Sequence, residues 1–231
     1  MSDDTWTRVD QYLGGQLLPD DPILSAAVQA SEAAGLPAIS VSPTQGKLLQ
    51  MLARLCGARN ILEIGTLGGY STIWLARALP AGGRLVTLEA DEKHAAVARA
   101  NITHARLDDR IEIRLGPALD TLPSLAAESR PPFDLTFIDA DKVNTTEYFR
   151  WALQMSRPGS LIIVDNVVRD GAVADAASSD PSVQGMRRFF DLLKREPRVS
   201  ATAVQTVGAK GYDGFAVVMV GGSSDGAGEH T

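Results

Sequence analysis

The sequence predicts an α/β fold with a doubly wound, mostly parallel sheet, and three of its features carry that prediction. Five short apolar runs, at residues 61–64, 85–88, 111–115, 135–138 and 161–164, are rich in Ile, Val and Leu without strict alternation. Strands buried on both faces of a parallel sheet have that composition. Stretches long enough for a crossover helix separate the runs, for example 70–79 and 92–104, which gives a repeated β-α pattern. Two further runs, 199–207 and 215–220, follow a helix around 183–195 and are joined only by the turn-rich segment 208–214. That link has no room for a crossover helix, so the last two strands are expected to pair as an antiparallel hairpin.

Each remaining segment has a place around this core. About sixty residues of mainly helical character precede the first strand, so 1–58 is expected to form a helical cover within one domain spanning 1–220. In it Ser42-Pro43-Thr44-Gln45 reads as a capping box: Ser42 at the N-cap, Pro43 at the first helical position, Gln45 three after the cap. Gly57 is placed to end that helix. The tail 221–231 is Gly/Ser-rich and is expected to be disordered.

Composition narrows the function classes. The chain has 231 residues, 45% hydrophobic and 22% charged, with a formal net charge of -6. It has no global attraction to nucleic acid or to an anionic membrane. Cys56 is the single cysteine, which excludes an internal disulfide framework and a Cys-rich zinc site and fits a reducing cytosol. The acidic N-terminus has no apolar signal core, and no apolar run approaches the roughly 18 residues of a membrane span. The expectation is a cytoplasmic protein whose partner is small or is a second copy of itself.

The first strand leads through Gly65-Thr66-Leu67-Gly68-Gly69 into a helix beginning near Tyr70-Ser71. Glycines let a ligand approach the backbone closely, and the helix start offers amide donors. Such turns are also common structural solutions. Glu89, at the end of the second strand, supplies context, because a carboxylate there can accept both hydroxyls of a ribose. It can equally be a charge at a helix start, just ahead of the N-cap candidate Asp91. Glu63 stands where a dinucleotide turn would carry its first glycine, which favours S-adenosylmethionine over NAD.

The fourth and fifth strands both end in acid. Asp139 and Asp141 precede Lys142 after one of them, and the Asp165-Asn166 pair follows the other. Ligands of open α/β sheets bind beyond the carboxyl ends of the strands, so Asp139, Asp165 and Asn166 are expected to face the nucleoside crevice. Three hard oxygen donors suit Mg²⁺ or another hard divalent ion such as Mn²⁺ or Ca²⁺. Capping of neighbouring loops is the alternative for both aspartates.

In combination these motifs resemble those of the cation-dependent O-methyltransferases, the group of catechol and caffeoyl-CoA O-methyltransferases. The likeness runs from about Val41 to Val220 and rests on Leu62-Glu63-Ile64-Gly65-Thr66, Gly69-Tyr70-Ser71, Glu89, Phe137-Ile138-Asp139-Ala140-Asp141-Lys142 and Asp165-Asn166. It implies a Rossmann-like seven-stranded sheet with an antiparallel last strand and helices on both faces. It implies S-adenosylmethionine contacts at Val41, Glu63, Gly65, Thr66, Ser71, Glu89, Ala118 and Asp139. It also implies metal ligands at Asp139, Asp165 and Asn166, a general base at Lys142, a small phenolic acceptor with vicinal hydroxyls, and a homodimer. Leu67 departs from the family pattern, which often has glycine there.

Two other readings use the same fold. An NAD-dependent oxidoreductase would need a pyrophosphate turn, against which Glu63 and Leu67 stand. A cofactor-binding relative without activity would have no need of Asp139, Lys142, Asp165 and Asn166.

Overall fold

Polar caps and prolines set where several of the helices begin. The computed structural model describes residues 3–221, and opens with α1 (Asp3–Leu17), α2 (Pro22–Ala33) and α3 (Pro43–Leu55). Asp21 Oδ1 accepts from Ile23 N at 3.1 Å and Leu24 N at 3.0 Å, with Pro22 starting α2. Ser42 Oγ accepts from Gln45 N at 3.2 Å, and Pro43 starts α3. At the far end Gly57 adopts φ +64°, and Ala58 N reaches back to Ala53 O at 2.9 Å, closing the helix.

Strands and helices then alternate: β1 (Asn60–Ile64), α4 (Tyr70–Ala76), β2 (Arg84–Glu89), α5 (Glu92–His104), β3 (Ile111–Leu115), α6 (Ala118–Ala127), β4 (Phe133–Ile138), α7 (Thr145–Gln154) and β5 (Ser156–Asp165). A single 3-10 turn at Ala172–Ala174 precedes α8 (Pro181–Leu193), β6 (Val199–Gly208) and β7 (Gly211–Val220). The seven strands form one sheet in the order β3-β2-β1-β4-β5-β7-β6. Pairing is parallel from β3 to β5, and β7 runs antiparallel to both β5 and β6. The predicted class, doubly wound with an antiparallel last strand, is the observed one.

Alternation along each strand feeds two cores. Ile61, Leu85, Leu135, Phe137 and Ile163 pack with α2 to α5 on one face. Leu62, Ile64, Val86, Leu88 and Ile162 pack with α6 to α8 on the other. The last hairpin is tighter than the sequence suggests. Its ladder closes at the Gly208–Gly211 pair, so β7 starts four residues before Phe215 and takes in Tyr212 and Asp213. β5 likewise extends back to Ser156, across a register shift between Phe133 and Leu135.

The carboxyl ends of the central strands are locked together. Gly65 N donates to Leu88 O (3.0 Å), Asp139 N to Ile64 O (2.8 Å), and Gly116 N to Glu89 O (2.8 Å). At the amino ends of the same strands, buried Asp134 accepts from Arg59 N, Asn60 N and the Arg157 guanidinium. Among the described residues no helix is long and apolar enough to cross a membrane. The predicted tail lies, beyond Gly221, outside the described residues.

Candidate active site

A cavity of about 870 Å³ opens at the carboxyl ends of β1, β2, β4 and β5. Val41, Gly65, Thr66, Ser71, Glu89, Ala118, Asp139, Lys142, Asp165 and Asn166 all line it. Residues far apart in the chain thus meet where the sheet topology directs them.

One wall is the turn after β1. Gly65 takes φ +101°, and a Cβ built there would lie 2.1 Å from Asp139 O. Only glycine lets the turn press on the end of β4 that closely. Leu67 is left-handed at φ +51°, a conformation that normally costs a non-glycine residue 1–3 kcal/mol or so. Glu89 holds it there: Oε2 accepts from Leu67 N at 2.7 Å and Thr66 N at 3.1 Å, while Oε1 accepts from Asp91 N at 3.0 Å.

Glu63 is set apart from the other expected cofactor residues. It is fully buried and does not reach the cavity wall. The alternation of β1 turns it toward α4, and its carboxylate accepts from Ser71 Oγ (2.7 Å) and Thr72 Oγ1 of that helix and from Thr87 Oγ1 (2.8 Å) of β2. Burial pushes its pKa up to about 7; the three hydroxyls oppose that rise and the Asp139 charge adds to it. Its link to the cavity is through Ser71, which it holds.

The other wall carries the acidic groups. Lys142 Nζ donates to Asp139 Oδ1 at 2.8 Å. The loop between them is fixed by Asp141, which accepts from Asn144 N and Nδ2 and from the Tyr148 hydroxyl. Gly185 of α8 supports the same loop, since a Cβ there would fall 2.1 Å from Lys142 O. Asp165 is buried; Oδ1 accepts from Asn166 N at 2.8 Å and Oδ2 from Gln45 Nε2 at 2.7 Å. Burial and then the charge of Asp139 raise its pKa well above the usual carboxylate range, against the opposing pull of Lys142, Asn166 and Gln45. Among the described residues no three His, Cys, Asp or Glu side chains are grouped to hold a metal. The donors present are two carboxylates and the Asn166 amide.

Gln45 escapes the sequence reading. A glutamine three residues after a Ser N-cap signals a capping box, but its amide turns away from Ser42 to meet Asp165, 120 positions later. No periodicity or spacing in the chain announces that meeting. The rim is likewise illegible in sequence. Asp213 Oδ1 accepts from Val168 N and Arg169 N at 3.0 Å each, pinning a loop in which Arg169 and Asp170 are both left-handed. Lys210 Nζ ties the β6–β7 turn to Ala38 O at 2.8 Å.

Comparison with known proteins agrees with this architecture. A family model described as O-methyltransferase matches residues 18–217. A catechol O-methyltransferase of Niastella koreensis is 56% identical over 220 residues, covering 95% of this chain and 100% of that protein. Among solved structures, the O-methyltransferase from Bacillus cereus in complex with SAH is 62% identical with a TM-score of 0.94, over 95% of this chain and 100% of that one. TomG from Streptomyces achromogenes, an O-methyltransferase involved in tomaymycin synthesis and solved with SAM, is 50% identical with a TM-score of 0.93, covering 96% and 100%. The chain belongs to the O-methyltransferase family, the S-adenosylmethionine-dependent class that counts catechol O-methyltransferases among its members.

Proposed function

We propose that this protein moves a methyl group from S-adenosylmethionine to one hydroxyl of a catechol-type acceptor, with Mg²⁺ or a similar hard cation at Asp139, Asp165 and Asn166. The observation that carries the proposal is the convergence, in one cavity, of the Gly65–Leu67 turn and Glu89 with Asp139, Lys142, Asp165 and Asn166. The relatives named catechol O-methyltransferase support the acceptor class.

The residues fit the cation. Asp165 is a buried carboxylate that meets the charge of Asp139, and neutral groups are the hydrogen-bond donors to it; hard oxygen donors with surplus negative charge match a hard divalent ion. When bound, it supplies positive charge that favours the ionised acceptor, whose free hydroxyl titrates near a pKa of about 10. S-adenosylmethionine supplies the electrophilic methyl on its sulfonium.

The chain supplies orientation and a proton acceptor. Glu89 and the backbone of Gly65–Leu67 hold the nucleoside end, and Ser71, oriented by Glu63, faces the same wall. Once it has released its own proton to solvent, Lys142 Nζ takes the proton of the acceptor hydroxyl, and Asp139 Oδ1 at 2.8 Å stabilises the ammonium so restored. Holding donor and acceptor in line converts a bimolecular encounter into a positioned one. Val9, Tyr12 and Leu17 of α1 and Val204 and Val207 of β6 leave an apolar surface in water. We take it as the face on which two copies pair; light scattering reads the mass directly.

A screen of vicinal diphenols with S-adenosylmethionine and Mg²⁺, read by mass, tests the reaction. Methylated product is expected, EDTA should abolish it and added Mg²⁺ restore it. Undiminished turnover in EDTA overturns the cation role, and tight NAD binding without any response to S-adenosylhomocysteine overturns the transferase reading.

A further inference from the structure

We propose that Gln45 is a positioning residue for the cation site: its side-chain amide fixes the Asp165 carboxylate for the ion without neutralising it. This rests on the cation reading above and assigns a task to a residue outside the expected ligand set.

The hydrogen bond from Gln45 Nε2 to Asp165 Oδ2 is 2.7 Å long. An uncharged donor meeting a carboxylate at that length makes a strong, directional contact. The other oxygen, Oδ1, accepts from Asn166 N at 2.8 Å. Both oxygens are therefore anchored by neutral groups, which stops the carboxylate rotating and leaves each oxygen lone-pair capacity for a further partner. Among the described residues no cationic side chain pairs with Asp165, because Lys142 pairs with Asp139 instead. A lysine or arginine at position 45 would supply the same tether but would cancel the charge that attracts the ion; glutamine supplies the tether alone.

The local sequence sharpens the argument. Ser42 Oγ already serves Gln45 N, and it also meets Thr44 Oγ1. The Gln45 side chain forgoes the usual return to the N-cap and spans to β5 from the first turn of α3. Gln45 stands four residues after Val41, and both line the same cavity. The amide thus links the segment along one wall to the carboxylate on the other. Groups that orient metal ligands in this way typically set affinity by about 10- to 100-fold.

Mn²⁺ titration followed by electron paramagnetic resonance, in the presence of S-adenosylhomocysteine, tests the assignment. The whole chain should bind one Mn²⁺, and Gln45→Ala should weaken that binding about 10- to 100-fold, with S-adenosylhomocysteine affinity by calorimetry changed less than about threefold. Gln45→Met, which keeps the length of the side chain and loses the amide, carries the same test should the alanine variant not fold. A folded variant that binds Mn²⁺ as tightly as the parent overturns the proposal and reduces Gln45 to a tie between α3 and β5. No Mn²⁺ binding by the parent chain overturns the cation reading itself, so the two failures are distinguishable.

Discussion

Glu89 Oε2 sits 2.7 Å from the amide of Leu67, so the carboxylate expected at the ribose also clamps the strained residue of the cofactor turn. On the proposed function, both tasks fall to this one side chain. Glu89→Ala is expected to lower the stability of the ligand-free protein by about 2 kcal/mol, from lost charge-assisted bonds to Thr66 N, Leu67 N and Asp91 N. It should also weaken S-adenosylhomocysteine binding by about tenfold or more. Urea unfolding and calorimetry on the same preparation separate the two effects; a loss of affinity with no loss of stability would refute the clamp.

Glu63 gives the ligand-free protein a pH dependence of defined sign. Its carboxyl is raised from 4.5 to about 7, so between those values the folded state holds a proton that the unfolded state has released. Stability from this group is fully present below 4.5 and is lost as the pH rises through about 7, with a total of order 3 kcal/mol. Glu63→Gln removes the titration. The difference in urea midpoint between parent and variant, followed across that window, should therefore shift steadily against the parent as pH rises.

Lys142 and Gly185 form a pair for dissecting catalysis. Lys142→Met should slow methyl transfer about 100-fold or more while leaving S-adenosylhomocysteine affinity within about threefold. Gly185→Ala puts a Cβ 2.1 Å from Lys142 O, and overpacking against backbone costs about 1–3 kcal/mol. Because the strain falls on the loop that carries Lys142, turnover should drop as well. Single-turnover rates report both variants, and an unchanged rate for Lys142→Met eliminates it as the base.

Asp134 serves as the control at the amino end of β4, away from the cavity. Its buried carboxylate gathers Arg59 N, Asn60 N and Arg157. Asp134→Ala deprives the Arg59 and Asn60 amides of their acceptor and should destabilise the fold by about 2 kcal/mol. Turnover per folded molecule should stay at the parental value, checked by activity normalised to native signal below the melting transition.

The strands and the acidic strand ends were legible because both are local signals. Runs such as 135–138 announce burial by composition, and Asp139 and Asp165 are conspicuous where apolar runs stop. What escaped was what the topology brings together across long sequence separations. Glu63 reads as a ligand contact by position, yet strand alternation turns it behind the wall onto three hydroxyls. Gln45 reads as a cap because its neighbours form one. The early start of β7 was hidden because Tyr212 and Asp213 break the apolar pattern that marks a strand, while cross-strand pairing and the clamp on Arg169 N hold them in place.

The contact between Gly65 and the backbone of Asp139 also bears on how such a protein acquires new acceptors. With no space between the Gly65 turn and the Asp139 backbone for even a methyl group, their approach is set by main chain and a side chain at position 65 cannot tune it. On the proposed function, larger or differently shaped acceptors would be accommodated outward, at Ala38, Ile39 and Ser40, at Arg169 and Asp170, and at Lys210 and Tyr212 of the last hairpin. Libraries that vary those rim positions and leave the two walls untouched are where a change of acceptor, or of the hydroxyl methylated, should be sought.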